Sequence, residues 1–136
     1  MKIDNELTKE KLIKKLSYWY DNSFFDKVID KVLEIPKEKR DYETVSYLIR
    51  AYNSVNRFQS AIKELDSIKR KGESDPYWHF RLGYAYLNIE NFEDALKEYE
   101  TAHSLDKNDR TIKHHFEVLK VNLFLGKNFL EDEENT

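Results

Sequence analysis

The strongest constraint in this sequence is an internal repeat with a period of 34 residues. Residues 42–75 align with residues 76–109 over their whole length without a gap. Identical residues stand at equivalent positions of the two copies: Leu48 and Leu82, Ala51 and Ala85, Tyr52 and Tyr86, Phe58 and Phe92, Ala61 and Ala95, and Lys63-Glu64 and Lys97-Glu98. A degenerate earlier copy over 8–41 has Trp19 at the tyrosine position. A fixed period of this length indicates stacked copies of one structural unit.

Apolar residues within each copy recur every three or four residues. In residues 76–109 the first set is Trp78, Leu82, Ala85 and Tyr86, and the second set is Phe92, Ala95, Leu96, Tyr99 and Ala102. This spacing predicts two short amphipathic helices per copy. The polar turns between them carry N-cap residue types at Ser23, Asn56 and Asn91, each three residues before a side chain able to reach back. Asp75 followed by Pro76 predicts the start of a first helix.

The small residues at repeated positions predict how these helices pack. Gly83, Ala85, Ala95 and Ala102 leave room for the two helices of a hairpin to cross closely. A single hairpin cannot bury its apolar face alone, so neighbouring copies must stack. The apolar pattern over 110–125 predicts a closing helix that ends at Gly126 as a left-handed cap. We therefore predict an all-α fold of about three helical hairpins plus a C-terminal capping helix, in one domain over 1–130, followed by a disordered acidic tail over 131–136.

Composition narrows the classes of partner. The 136 residues include 23 Lys plus Arg against 26 Asp plus Glu, a net charge of -3, and no cysteine. A chain without thiols has no disulfide framework and no cysteine nucleophile, and it suits a reducing compartment. No segment is strongly basic, and none is apolar for long enough to span a membrane. We expect a cytoplasmic protein that binds neither nucleic acid nor membrane. The ratio of 17 Lys to 6 Arg, with ten Asn, indicates a bacterial or phage source.

Residues 76–109 resemble the tetratricopeptide repeat (TPR), a helical hairpin of 34 residues. The residues that carry the resemblance are Leu82-Gly83, Tyr86, Ala95, Tyr99, Ala102 and Leu105-Asp106. The copy departs from the family where His79 stands at the tryptophan position and Lys107 replaces the terminal proline. Residues 42–75 are similar but have Ile49 for the glycine and Ile68 for the last alanine. The resemblance implies an α-solenoid, a right-handed superhelix whose concave groove holds an extended peptide or a partner helix.

The same resemblance implies which side chains line that groove, because first helices form most of it. The implied positions are Tyr47, Arg50 and Asn53 from the second copy, Phe80, Arg81, Tyr84 and Leu87 from the third, and His114, His115 and Val118 from the closing helix. Ser17 and Tyr20 are the implied contribution of the first copy. Some members of the family clamp a C-terminal carboxylate with Lys, Asn and Arg. Only Arg81 stands at such a position here, so that mode of binding is disfavoured.

No motif predicts catalysis, a metal or a cofactor. His114 and His115 are adjacent, and neighbours on a helix point about 100° apart, so they do not share one ion readily. His79 and His103 are interpreted as packing or surface residues. The sequence lacks the glycine-rich phosphate loops and the nucleophile motifs of common enzymes. We therefore expect no enzymatic activity.

Three hypotheses about function follow. The first is an adaptor that binds a protein or peptide in the groove. The second is a stoichiometric inhibitor, such as an immunity or anti-defence protein, that occludes an enzyme through the acidic third copy. The third is a homodimer formed through the apolar C-terminal segment, which contains Leu123, Phe124, Leu125, Phe129 and Leu130.

Overall fold

A computed structural model describes the backbone of residues 2–134 and the side chains of residues 8–127. This part of the chain forms eight α-helices and no β-strand. The helices are α1 (Lys2–Asp21), α2 (Phe25–Glu34), α3 (Tyr42–Ser54), α4 (Phe58–Ser67), α5 (Lys69–Gly72), α6 (Pro76–Asn88), α7 (Phe92–Leu105) and α8 (Arg110–Glu134), with a 3-10 turn at Lys37–Lys39. The predicted all-α fold is confirmed. None of these helices combines the length and apolar character needed to cross a bilayer.

The chain divides into two compact units, Met1–Lys69 and Arg70–Thr136. In the first unit α1, α2 and α3 pack on one another, and α4 packs on α3. Its buried apolar residues are Leu16, Val28, Ile29, Val32, Val45, Leu48, Ile49, Ala51, Tyr52, Ala61 and Leu65. The first unit therefore holds two helical hairpins, α1 with α2 and α3 with α4, as the sequence predicts. The single domain over 1–130 stays a prediction.

In the second unit α6 and α7 form a hairpin, and α8 packs on α7. Its buried apolar residues are Trp78, Leu82, Ala85, Ala95, Tyr99, Ala102, Ile112 and Leu119. These positions include the small residues that the sequence predicts at the helix crossing. The hairpin of the third copy and the closing helix that follows it are therefore present.

Aspartates spaced by 34 residues start the first helix of successive copies. The Asp41 carboxylate accepts a hydrogen bond from the Thr44 N–H at 2.9 Å, and Asp75 accepts one from the Tyr77 N–H at 2.9 Å. Asp109 accepts one from the Ile112 N–H at 3.0 Å, at the start of α8. Each carboxylate satisfies a backbone donor that the helix itself leaves unpaired. Only Asp75 was predicted to start a helix, although the same period places an aspartate at all three sites.

The turns inside the hairpins differ from the prediction. Ser23, Asn56 and Glu90 have φ values of 63°, 64° and 65°, so they end the preceding helix in the left-handed conformation. The residue after each one donates a backbone hydrogen bond back to the helix: Phe24 to Trp19 O, Arg57 to Tyr52 O, and Asn91 to Tyr86 O. This is the Schellman arrangement.

The assignment of Ser23 and Asn56 as N-caps is therefore wrong. The N-cap positions are Phe24 and Arg57, and neither makes a side-chain capping hydrogen bond. Asn91 is the N-cap of α7 as predicted, but its amide donates to the Asp94 carboxylate instead of accepting from the backbone. The backbone bonds of the turn organise these hairpins without side-chain caps.

The close crossing of α6 and α7 depends on Gly83. A Cβ atom at this position would lie 2.6 Å from Cδ1 of Tyr99 and 3.2 Å from the Ala95 carbonyl oxygen. Tyr99 is fully buried, so its ring has no free space to move into. Only glycine leaves room for the tyrosine ring at this crossing.

Helix α8 continues beyond the predicted end. It runs from Arg110 to Glu134, whereas the sequence predicted an end at residue 125 with Gly126 as a left-handed cap. The described glycines all have negative φ, and a Cβ atom at Gly126 would contact nothing within 4 Å. An exposed glycine permits a helix end but does not impose one, since its cost inside a helix is only about 1 kcal/mol. Side chains beyond Lys127 lie outside the described residues, and the acidic tail over 131–136 stays a prediction.

His79 is buried in the second unit and joins two segments of the chain. Its Nδ1 lies 2.7 Å from the Glu98 carboxylate of α7, and its Nε2 lies 2.9 Å from the Glu73 carbonyl oxygen. Both partners are acceptors, so only the doubly protonated imidazolium satisfies both contacts. Burial opposes the charge, but the hydrogen bonds to Glu98 and Glu73, with the nearby Asp75 charge, raise the pKa of His79 above its usual value.

We expect Gly83→Ala and Gly126→Ala to change stability in opposite directions. At Gly83 the added methyl group meets the Tyr99 ring, and overpacking of a core costs about 1–3 kcal/mol, partly offset by the better helix propensity of alanine. At Gly126 only the propensity gain, up to about 1 kcal/mol, remains. Urea denaturation of both variants measures the difference. A Gly83→Ala variant as stable as Gly126→Ala would show that the crossing tolerates a side chain.

The raised pKa of His79 predicts a decline in stability as pH rises. The imidazolium is stabilised in the folded chain, so its contribution is fully present below the unfolded pKa of about 6.5 and is lost as pH rises through the folded pKa. The slope inside that window cannot exceed about 1.4 kcal/mol per pH unit, the limit for one proton. The free energy of unfolding, measured from pH 5.5 upward, should fall less steeply in Glu98→Gln than in the unmodified chain. Glu100→Gln, an exposed change on the same helix, is the control and should keep the full slope.

Candidate functional site

The second-copy residues predicted to bind a partner lie on α3 in the first unit. Tyr47 and Arg50 are half-buried, whereas Asn53 is only 6% exposed and belongs to the buried set. Tyr20 of α1, named as a first-copy contribution, is also half-buried and lies beside them. Two of the three predicted α3 residues are therefore accessible at the surface of this unit.

Arg50 lies against two tyrosine rings that come from different helices. Its guanidinium carbon is 4.2 Å from the ring centroid of Tyr20 and 5.0 Å from that of Tyr47. The two rings meet edge to face with centroids 6.4 Å apart, and Phe25 of α2 lies 5.3 Å from Tyr20. We call Tyr20, Phe25, Tyr47 and Arg50 the Arg50 cluster. Cation–π contacts of this geometry hold the arginine in place.

Two of the third-copy residues predicted to bind a partner, Phe80 and Leu87 of α6, pack within the second unit. Phe80 stacks on Tyr99 with centroids 5.4 Å apart, and it meets His115 edge to face at 5.0 Å. Phe80 and Leu87 both pack against the cluster of Ala95, Tyr99 and Leu119. These two predicted binding residues therefore also hold the second unit together.

Arg81 and Tyr84 complete the α6 set, and both are half-buried. The guanidinium carbon of Arg81 lies 5.5 Å from the Tyr77 ring centroid. Tyr84 lies close enough to Tyr99 to act electrostatically on its hydroxyl, and burial together with this neighbour raises the pKa of Tyr99. A partner-binding role for Arg81 and Tyr84 stays a prediction.

The two adjacent histidines of α8 have different surroundings. His114 is exposed, as is Val118 one turn later. His115 is half-buried between Phe80 and Tyr99, and its Nδ1–H donates to the Thr111 carbonyl oxygen at 2.9 Å. Their ring centroids are 5.8 Å apart. Within the described residues, no three His, Asp or Glu side chains come together as a metal site would require.

A polar contact that the sequence did not predict lies at the start of α8. The Tyr77 hydroxyl donates a hydrogen bond to the Asp109 carboxylate, the same group that caps α8. This hydrogen bond, together with burial, raises the pKa of Tyr77 to about 12. The same bond holds the pKa of Asp109 below its usual value. The 34-residue period of aspartates was the available signal for Asp109, but no pattern pairs it with Tyr77.

Comparisons with known proteins agree with this architecture. Residues 76–109 match the family model described as Tetratricopeptide repeat. No curated protein matched the sequence. Three solved structures illustrate the likeness of the fold.

The first is the NMR structure of the first TPR domain of the human RPAP3 protein, at a TM-score of 0.75 and 19% identity, covering 86% of this chain and 93% of that one. The second is MamA, residues 41 to the end, from Desulfovibrio magneticus RS-1, at a TM-score of 0.76 and 15% identity, covering 93% and 72%. The third is the crystal structure of PcrH from Pseudomonas aeruginosa, at a TM-score of 0.67 and 14% identity, covering 85% and 89%.

At these levels of identity the likeness shows the fold, while the family model identifies the repeat. The described residues thus have the fold of TPR-like helical repeat structures, and residues 76–109 match the tetratricopeptide repeat model.

Proposed function

We propose that this chain is a non-enzymatic adaptor that binds an extended segment of a partner protein. The Arg50 cluster is the observation that carries the proposal. Aromatic and arginine side chains dominate the energetics of protein interfaces, where they act as anchors in partly desolvated sites. Here two tyrosines and one arginine are assembled from two helices, and they remain half-exposed.

Pre-assembly of these side chains favours binding. Ordering a flexible side chain at an interface costs about 0.5–1.5 kcal/mol. Arg50 is already held by contacts with Tyr20 and Tyr47, so much of its cost is met in the free chain. Tyr47 and Arg50 of the first unit are therefore the stronger candidates among the predicted binding residues. Phe80 and Leu87 are less suitable as probes of binding, because their removal would also disturb the core of the second unit.

The proposal is tested by selecting peptides from a random phage-displayed library on the full chain. The expected result is enriched peptides whose affinity for Tyr47→Ala/Arg50→Ala falls at least about tenfold, equivalent to about 1.4 kcal/mol. Fluorescence polarisation of labelled peptides measures the dissociation constants, and circular dichroism checks that each variant remains folded.

The matched control is Tyr18→Ala/Arg57→Ala, which removes the same residue types from exposed positions outside the cluster. We expect this control to bind like the unmodified chain. Failure to enrich any peptide, or an equal loss in both double variants, would contradict the proposal.

The inhibitor hypothesis gains no support from the fold or the comparisons. A cytoplasmic location and a bacterial or phage source stay predictions. Binding of nucleic acid is not expected from the net charge of -3.

A second proposal, self-association, rests on the outer face of α8. Val118, Val121, Phe124 and Leu125 are 43%, 52%, 64% and 58% exposed, on the side of the helix away from the buried Ile112 and Leu119. We infer that two chains pair through this face. A two-fold symmetric interface uses the same patch on both partners, so one apolar stripe is sufficient for both sides.

Sedimentation of the full chain over a range of concentrations tests this pairing. We expect a dimer with a dissociation constant on the order of micromolar. Val121→Glu should give a monomer, because it places a charge in the apolar stripe. Gln59→Glu adds the same charge at an exposed position of α4, outside the stripe, and should leave the dimer intact. A monomer at every concentration for the unmodified chain would exclude self-association.

A further inference from the structure

The donors of Arg50 set it apart from the other arginines of the first unit. A guanidinium carries five N–H donors. Arg40 uses its donors internally, because its Nε and Nη2 bond to the carbonyl oxygens of Ile35 and Leu33 at 2.9 and 3.3 Å. Arg57 is exposed, beside the Tyr52 ring. Arg50 is half-buried, and within the described residues its side chain makes neither a hydrogen bond nor an ion pair.

Contacts with the tyrosines do not satisfy these donors. An aromatic ring attracts the positive charge of the guanidinium through its quadrupole, but the N–H groups still need oxygen acceptors for their hydrogen bonds. Partial burial makes water a poorer substitute, since a polar group removed from solvent without a partner loses free energy. The Arg50 cluster is therefore a site at which an incoming acceptor gains more than it would on an open surface.

The carboxylates of the first unit that form ion pairs do so with lysines and not with Arg50. Asp41 pairs with Lys9 at 2.8 Å and also caps α3, and Glu34 lies 3.7 Å from Lys31. The N–H donors of the Arg50 guanidinium are therefore available to an acceptor on another molecule. The planar fork of arginine matches a carboxylate, which can accept two parallel N–H bonds.

We propose that the partner segment is acidic, and that an aspartate or glutamate side chain within it binds the Arg50 guanidinium while neighbouring residues contact Tyr20 and Tyr47. This inference rests on the proposed function, and it names the chemistry of the partner. The Arg50 cluster contains one cation, whereas nucleic acid binding generally uses several phosphate contacts from Lys and Arg. A protein carboxylate is therefore the better match.

The experiment uses the tightest peptide selected on the full chain, in which each Asp or Glu is changed in turn to Asn or Gln. One such change should weaken binding to the unmodified chain about tenfold and leave binding to Arg50→Gln unchanged. Arg57→Gln is the matched control and should behave like the unmodified chain. Arg50→Lys keeps the charge but loses the fork, and we expect it to recover only part of the affinity.

A charge swap supplies a gain of binding that a folding defect cannot produce. Arg50→Glu should bind a peptide carrying Arg at the critical acidic position better than it binds the original peptide. Amidation of the peptide C-terminus should have no effect. A large loss on amidation would assign the contact to a terminal carboxylate and would overturn the side-chain assignment.

The inference is overturned if the selected peptides share no acidic residue, or if the amide changes weaken binding equally with and without Arg50. Tighter binding of a labelled oligo-dT strand than of the peptide, lost in Arg50→Gln, would also overturn it in favour of phosphate recognition. If peptides bind without an acidic residue or without dependence on Arg50, the adaptor proposal still holds, because peptides still bind. Failure of every peptide to bind removes the adaptor proposal itself.

Discussion

Tyr99 fills the space that a side chain at position 83 would occupy, and much of the second unit is arranged around this contact. Its fully buried ring touches Gly83 of α6 and stacks on Phe80, while His115 of α8 meets it at an edge. One aromatic side chain of α7 therefore joins three helices. A larger residue at position 83 would separate α6 from α7, because close-packed interiors have no spare volume to absorb a methyl group.

Aromatic residues on the first helices of the two clear repeats have different roles in the two units. On α6 Phe80 is drawn into the packing between Tyr99 and His115. On α3 Tyr47 instead contacts Tyr20 and the Arg50 guanidinium, and it remains half-exposed. The groove positions that the TPR resemblance implies thus include side chains that pack in the core and side chains that remain accessible to a partner. The contacts of each residue decide which it is, and on that basis Tyr47 and Arg50 are the stronger candidates for recognition.

Backbone conformation also modified what residue types alone suggested. Asn56 looked like the start of a helix, yet it ends the preceding one with a positive φ, and Glu90 does the same although glutamate rarely adopts that conformation. The hydrogen bonds from Arg57 and Asn91 back to the preceding helix outweigh the local preference. The period places these turns well, but it does not say which residue of the turn adopts the unusual dihedral angles.

The 34-residue period was sufficient to predict helical hairpins, their order and the small residues at their crossing, because these features depend on the spacing of apolar side chains along one helix. It was not sufficient to predict polar contacts between helices. The contacts of His79 with Glu98, of Tyr77 with Asp109 and of Arg50 with Tyr20 depend on side-chain directions across packed helices. Side chains adopt those directions only when the helices pack. The tertiary structure therefore decides which charged groups are paired within the chain and which remain available to a partner.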